Sequence, residues 1–133
     1  MMGWGSLLWK LKDLLVKKPD KPKNPKNCTT CGKISPDRAN HILDGDKTGG
    51  GHRFGTGKPG KSEFPQSWND KKILDNISDV ARNGNSAGAG RTPGSTLMEG
   101  VRDGVNMRVV VGRNGNVISG WPVSGQGVRV NPR

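Results

Sequence analysis

The chain has little with which to build a large interior. Apolar residues fill only 30% of its 133 positions and aromatics 5%, whereas glycine alone takes 21. A small core with long loops is therefore expected, in one domain with an appended segment. Only two cysteines are present, Cys28 and Cys31, too few for a disulfide framework. No run approaches the length of a bilayer-spanning helix. A Sec signal peptide is not expected either: Leu7–Val16 is interrupted by Lys10, Lys12 and Asp13, and no A-x-A-like site follows. Negative charge is scarce as well, with 11 Asp and Glu against 22 Lys and Arg, a formal net charge of +11. That excess points to an anionic partner such as nucleic acid, anionic lipid or an acidic protein. Residues 1–33 hold eight Lys against two Asp and carry +6, and the rest of the chain carries +5. The compact part is thus basic in its own right.

Three segments are expected. Residues 1–18 contain WGSLLWKLKDLLVKK, which sets Leu7, Leu8, Leu11, Leu14 and Leu15 at helical spacing. This basic amphipathic helix can dock on its own domain or touch a membrane surface transiently through residues 4–18. Residues 19–33 form a Pro/Lys-rich linker that includes Cys28-Thr-Thr-Cys31; the stretch 17–27 has three prolines and, past the helix end, no apolar residue. Residues 34–133 are the compact domain. Within it Ser67-Trp-Asn-Asp70 reads as a variant capping box. The spacing of Ile73, Leu74, Ile77 and Val80 then predicts a helix over roughly 69–82. Residues 82–100, rich in Gly and Ser, read as a mobile loop. VNMRVVV (105–111) and NVISGWPV (116–123) flank Gly112-Arg-Asn-Gly115, an Asn-Gly turn signal that predicts a hairpin. An irregular start, a helix and then a hairpin make an α+β fold.

The only two histidines, His41 and His52, stand eleven positions apart in HILDGDKTGGGHR. Such a pair can be a broken metal site, two unrelated surface residues, or an acid and a base facing one scissile bond. Imidazole both gives and takes protons near neutrality. The intervening Gly49, Gly50 and Gly51 let the backbone approach a ligand closely and offer N–H groups to an oxyanion.

Several motifs in series are more specific than any one. HILDGD, GGGH, KSEFPQSW, an amphipathic helix and RVVV…GNVISGWP follow one another in an order that resembles the bacterial EndoU nucleases. These are relatives of the eukaryotic poly(U)-specific and coronavirus uridylate-specific endoribonucleases. The likeness runs from about Asp37 to Val123. It implies an EndoU-like fold over 34–133, with antiparallel sheets and a few helices. It also implies catalytic roles for His41, His52 and Lys61, and substrate contacts by Gly50, Gly51, Ser119 and Trp121. His52 would be the base and His41 the acid in attack of an RNA 2′-hydroxyl on the adjacent phosphate, a chemistry that requires no metal or other cofactor. Pro65 stands where the uridylate-specific relatives carry a base-reading Ser, so the likeness does not carry over a uridine preference; bacterial members of the family are often tRNA-directed, and the expected partner is RNA, tRNA in particular.

The resemblance further implies a toxin of contact-dependent inhibition, delivered without a Sec signal peptide. It would act in the cytoplasm of a target bacterium and be neutralised in its producer by an acidic immunity protein. Two other readings compete. Cys28, Cys31, His41 and His52 include the ligand types for one zinc ion, which would make a non-catalytic nucleic-acid-binding knuckle. Residues 4–18 could instead make the chain a membrane-active peptide on a small carrier.

Overall fold

The computed structural model describes Cys28 and residues 30–133. The helix expected within 4–18 and the linker over 17–27 lie outside the described residues. The order of elements is α1 (Pro36–Leu43), β1 (Ser62–Glu63), α2 (Asp70–Asn83), β2 (Asn85–Ala89), β3 (Thr96–Arg102), β4 (Val105–Val111), β5 (Val117–Gly125) and β6 (Arg129–Val130). The strands make a four-stranded antiparallel sheet in the order β2-β3-β4-β5 and a separate β1-β6 pair. The fold is α+β, as expected.

The expected helix is α2, shifted by one residue. Its cap is Asn69, whose side chain accepts from the Lys72 N–H at 2.8 Å, and not Ser67. Asn69 immediately precedes the first helical residue, where a side-chain oxygen reaches the unpaired N–H groups; Ser67 lies two positions too early. Ile73, Ile77 and Val80 are fully buried and share one core with Val105, Met107, Val109, Val111 and Val117 of β4 and β5. Close approach is required here: a Cβ on Gly120 of β5 would lie 3.1 Å from Ile77. Phe64 and Trp68 stack at 5.6 Å and extend the same core toward Ile42 of α1.

Two segments differ from expectation. The stretch 82–100 is not a loop, because it ends α2 and supplies β2 and most of β3. β2 is exposed along its whole length as the edge of the sheet, so its sequence NSAGA shows no apolar alternation. The start of the domain is also regular, since α1 is capped by Ser35 with Pro36 in its first turn.

Cys28 and Cys31 are joined as a disulfide. The segment behind it is pinned to the body: Gly32 N–H donates to the Gly115 carbonyl at 2.7 Å, Val117 N–H to Lys33 at 2.9 Å, and the Ser78 hydroxyl to Gly32 at 2.7 Å. The folded body therefore takes in residues ahead of the boundary expected at 34. With both sulfurs bonded to each other, they are not the free thiolates that the zinc reading needs. Among the described residues no group of three or more His, Cys, Asp and Glu is arranged to hold a metal ion. No described helix is long and apolar enough to cross a membrane.

Candidate active site

A helix leaves its last carbonyls without partners, and in α1 that need brings the two histidines together. The carbonyls of His41, Ile42 and Leu43 accept from the N–H groups of Gly51, His52 and Arg53 at 2.9, 2.7 and 3.0 Å. To return in this way the chain turns tightly at 46–49, where Asp46 and Gly49 exchange both main-chain bonds. Gly50 then passes so close to α1 that a Cβ there would lie 1.9 Å from the His41 carbonyl oxygen, at a φ of +80° that favours glycine. The glycine run is thus a fold-back device as well as a source of N–H groups. Arg53 secures the return by pairing with Asp44 at 2.5 Å and, through two nitrogens, with Asp70 at 2.8 and 2.9 Å.

Each imidazole is 6% exposed and tethered through Nδ1. The Nδ1 of His41 lies 3.0 Å from Asp46 Oδ1, which also accepts from the Thr48 hydroxyl at 2.5 Å and the Thr48 N–H at 2.9 Å. The Thr48 and His41 hydrogen bonds hold the Asp46 carboxyl well below the usual carboxylate range. The Nδ1 of His52 lies 2.6 Å from the Ser62 carbonyl oxygen, an acceptor only, so that nitrogen carries the proton. Burial pushes His52 below its ordinary value near 6.5; the Ser62 bond opposes this, and the nearby charges of Lys61 and His41 reinforce it. His52 is therefore a neutral ring with a free lone pair on Nε2.

A cleft of about 740 Å³ collects the rest. Its lining includes His41, His52, Lys61, Gly50, Ser119 and Trp121. A Cβ on Gly49 would lie 3.5 Å from Lys61 Nζ and 4.0 Å from His41 Cε1, so ammonium and imidazole converge over that glycine. The Trp121 ring sits 6.4 Å from the His52 ring, tilted by 33° and half-buried. Of the expected site residues, Gly51 alone is not part of the lining, and its N–H is spent on the His41 carbonyl.

Four contributors were not singled out from sequence. Asp46 and Thr48 hold His41. Arg38 lines the cleft, lies 3.7 Å from Asp46 and donates to the Ile118 carbonyl at 3.1 Å, which ties α1 to the strand carrying Ser119. Arg91 faces the cleft from the β2–β3 connection. Asp46 was legible in HILDGD as the motif's last residue; Arg91 had no local signal, since only the sheet brings it near.

Beneath the site, the buried Glu63 carboxylate accepts from Gly55 N–H at 2.9 Å, Gly57 N–H at 2.7 Å and Asn131 Nδ2 at 2.8 Å. Burial pushes its pKa up, but these hydrogen bonds outweigh burial and hold it below its ordinary 4.5. Glu63 thereby braces the loop between His52 and Lys61 against β1 and β6.

Arg38, Lys61 and Arg91 line the cleft, and among the described residues no Asp or Glu does. A phosphodiester would meet a surplus of positive charge there, with the Asp46 carboxylate engaged by His41, Thr48 and Arg38 behind the lining. Two tethered imidazoles and a lysine thus share one cationic groove. The family model of the bacterial EndoU nucleases matches residues 55–124, more than half of the chain, and the chain belongs to that family. Lys61, Ser119 and Trp121 fall inside the matched span; His41 and His52 precede it. No curated protein and no solved structure matches.

Proposed function

We propose that the protein is an endoribonuclease toxin that cuts RNA, tRNA in particular, through the RNA's own 2′-hydroxyl. The observation that carries this reading is the pair of imidazoles tethered through Nδ1 in one cationic cleft, one to a carboxylate and the other to a carbonyl. Neutral His52 takes the 2′-hydroxyl proton on Nε2 as the 2′ oxygen bonds to phosphorus. His41, tethered to Asp46 through Nδ1, gives a proton to the departing 5′ oxygen as the P–O5′ bond breaks. Lys61 and the Gly50 N–H stabilise the charge that builds on the phosphorane oxygens, where fixed donors act most strongly. Trp121 offers a face on which a base stacks, and Ser119 a hydroxyl for hydrogen bonding.

The products are a 2′,3′-cyclic phosphate and a 5′-hydroxyl. Side chains and the Gly50 N–H handle the protons and charge, so chelators leave the rate intact, and DNA lacks the nucleophile. In this reading the toxin serves interbacterial competition. It is delivered into a target cell, with residues 4–18 touching the membrane in transit, and acts in the target cytoplasm. An acidic immunity protein covers the cationic cleft in the producer.

The test is incubation with total tRNA in excess EDTA, beside His52→Ala, with assay for cyclic phosphate ends. Chelator-resistant cleavage by the parent protein alone supports the mechanism. Cleavage abolished by EDTA refutes it.

A further inference from the structure

The cleft is longer than the reaction centre requires. From Ser119 its floor crosses the sheet through Val110 to Leu97, residues that stand opposite one another on β5, β4 and β3. It ends at the β2–β3 connection, where Gly90, Arg91 and Thr92 form the far wall. Two strand spacings separate Ser119 from Leu97, about 10 Å at ~4.8 Å each. A floor of that length has room for a phosphodiester besides the one being cut.

The far wall is a shaped arm. Gly90 N–H donates to the Ser95 carbonyl at 3.0 Å, while Ser95 N–H and hydroxyl both donate to the Thr92 carbonyl, at 2.9 and 2.5 Å. Ser95 is buried, and a Cβ on Gly90 would lie 2.2 Å from its hydroxyl and 3.1 Å from Val110 Cγ1. The arm therefore lies flat on Val110 and holds Arg91 at the rim. Arg53, Arg102 and Arg108 pair with acids outside the cleft. Among the described residues Arg91 has no acidic partner, and the cleft it faces holds none.

The geometry points to a second phosphate subsite at Arg91 and Thr92, which takes a phosphodiester of the same strand beyond the one being cut. The intervening nucleotide lies over Leu97, beside the arm. A guanidinium grips phosphate through paired N–H groups, and the Thr92 hydroxyl adds a donor. The ligand class is thus a single strand of several nucleotides rather than a dinucleotide. The inference rests on the ribonuclease reading for the identity of that strand as RNA.

The test uses 2′-deoxy oligonucleotides with one to four phosphodiesters, which cannot be cut by this chemistry. Their affinity is measured for the full chain, Arg91→Ala and Arg91→Lys at two salt concentrations. The parent protein should gain about tenfold in affinity at the length that first reaches the arm. Arg91→Ala should lack that step and lose about one phosphate's worth of salt dependence, and Arg91→Lys should keep part of both. Arg91 is exposed, and matched melting temperatures will show that its removal leaves the fold intact. An equal step in Arg91→Ala, or none in the parent, overturns the subsite. Ribo-oligonucleotides of the same lengths report cleavage separately. A binding step without cleavage counts against the ribonuclease reading alone, and cleavage without a step against the subsite alone.

Discussion

His52 donates its Nδ1–H to the Ser62 carbonyl oxygen at 2.6 Å, which leaves Nε2 as its only free basic nitrogen. A carbonyl cannot donate in return, so the tautomer is fixed by the backbone and not by solvent. Burial keeps the ring neutral below its usual range.

The rising limb of kcat/KM against pH should therefore show an apparent pKa below 6.5, and His52→Ala should lose at least ~10²-fold in rate. Stability follows the same sign. Between the depressed native value and 6.5 the unfolded chain binds more protons, so stability should fall as pH drops through that window. Denaturation midpoints at pH 7 and pH 5 measure this. A limb centred above 6.5 would remove His52 from the role of base.

Asp46→Asn keeps the size of the side chain at His41 Nδ1 but loses the charge. Because the Thr48 and His41 hydrogen bonds hold Asp46 far below the ordinary carboxylate range, the native carboxylate stays ionised throughout the working pH. Loss should appear in kcat, on the order of 10²-fold, with KM nearly constant. Steady-state kinetics decide the matter; a change confined to KM would make Asp46 a binding residue instead.

Glu63→Gln should be a stability variant. Both carboxylate oxygens face N–H donors, so an amide placed either way turns its own NH2 toward one of them. The cost is about 2 kcal/mol, or a melting temperature lower by roughly 8–16 °C for a domain near 100 residues. The native carboxylate titrates below 4.5, so its contribution is present above that value and disappears as pH falls through the depressed one. Thermal melts of parent and variant should differ most at pH 7, and the gap should narrow as pH falls below 4.5.

Trp121 separates stacking from packing. It is half-buried and outside the core cluster that holds Trp68. Trp121→Ala should raise KM about tenfold while Trp121→Phe keeps most of the affinity, as expected for a face against a base. If Trp121→Ala melts several degrees early with KM unchanged, the ring is a packing element.

The parts of the fold legible from sequence are those with a local physical cause. The period of Ile73, Ile77 and Val80 follows from one buried helix face, and the β4–β5 turn from Gly115 at a φ of +86°. β2 escaped notice because an edge strand exposed on both faces needs no apolar alternation. Asn69 took the capping role because position, not residue type alone, decides which oxygen meets the free N–H groups. The site divides in the same way. His41, His52 and Lys61 sit in short motifs, whereas Arg38 and Arg91 enter the cleft only through long-range packing. Gly51 looked like an anion donor in the glycine run, yet its N–H closes the end of α1.

The cleft is also a seam. His41, His52 and Lys61 come before α2, and Ser119 and Trp121 come after it. Gln66 and Ser67 form an exposed turn between the two groups. A chain severed there would yield two pieces, one with His41, His52 and Lys61 and the other with Ser119 and Trp121. Ile42 and Phe64 on one piece share a core with Ile73, Ile77 and Met107 on the other, which supplies a reason to reunite. Such a pair would act as a coincidence detector, silent until both halves meet in the same cell.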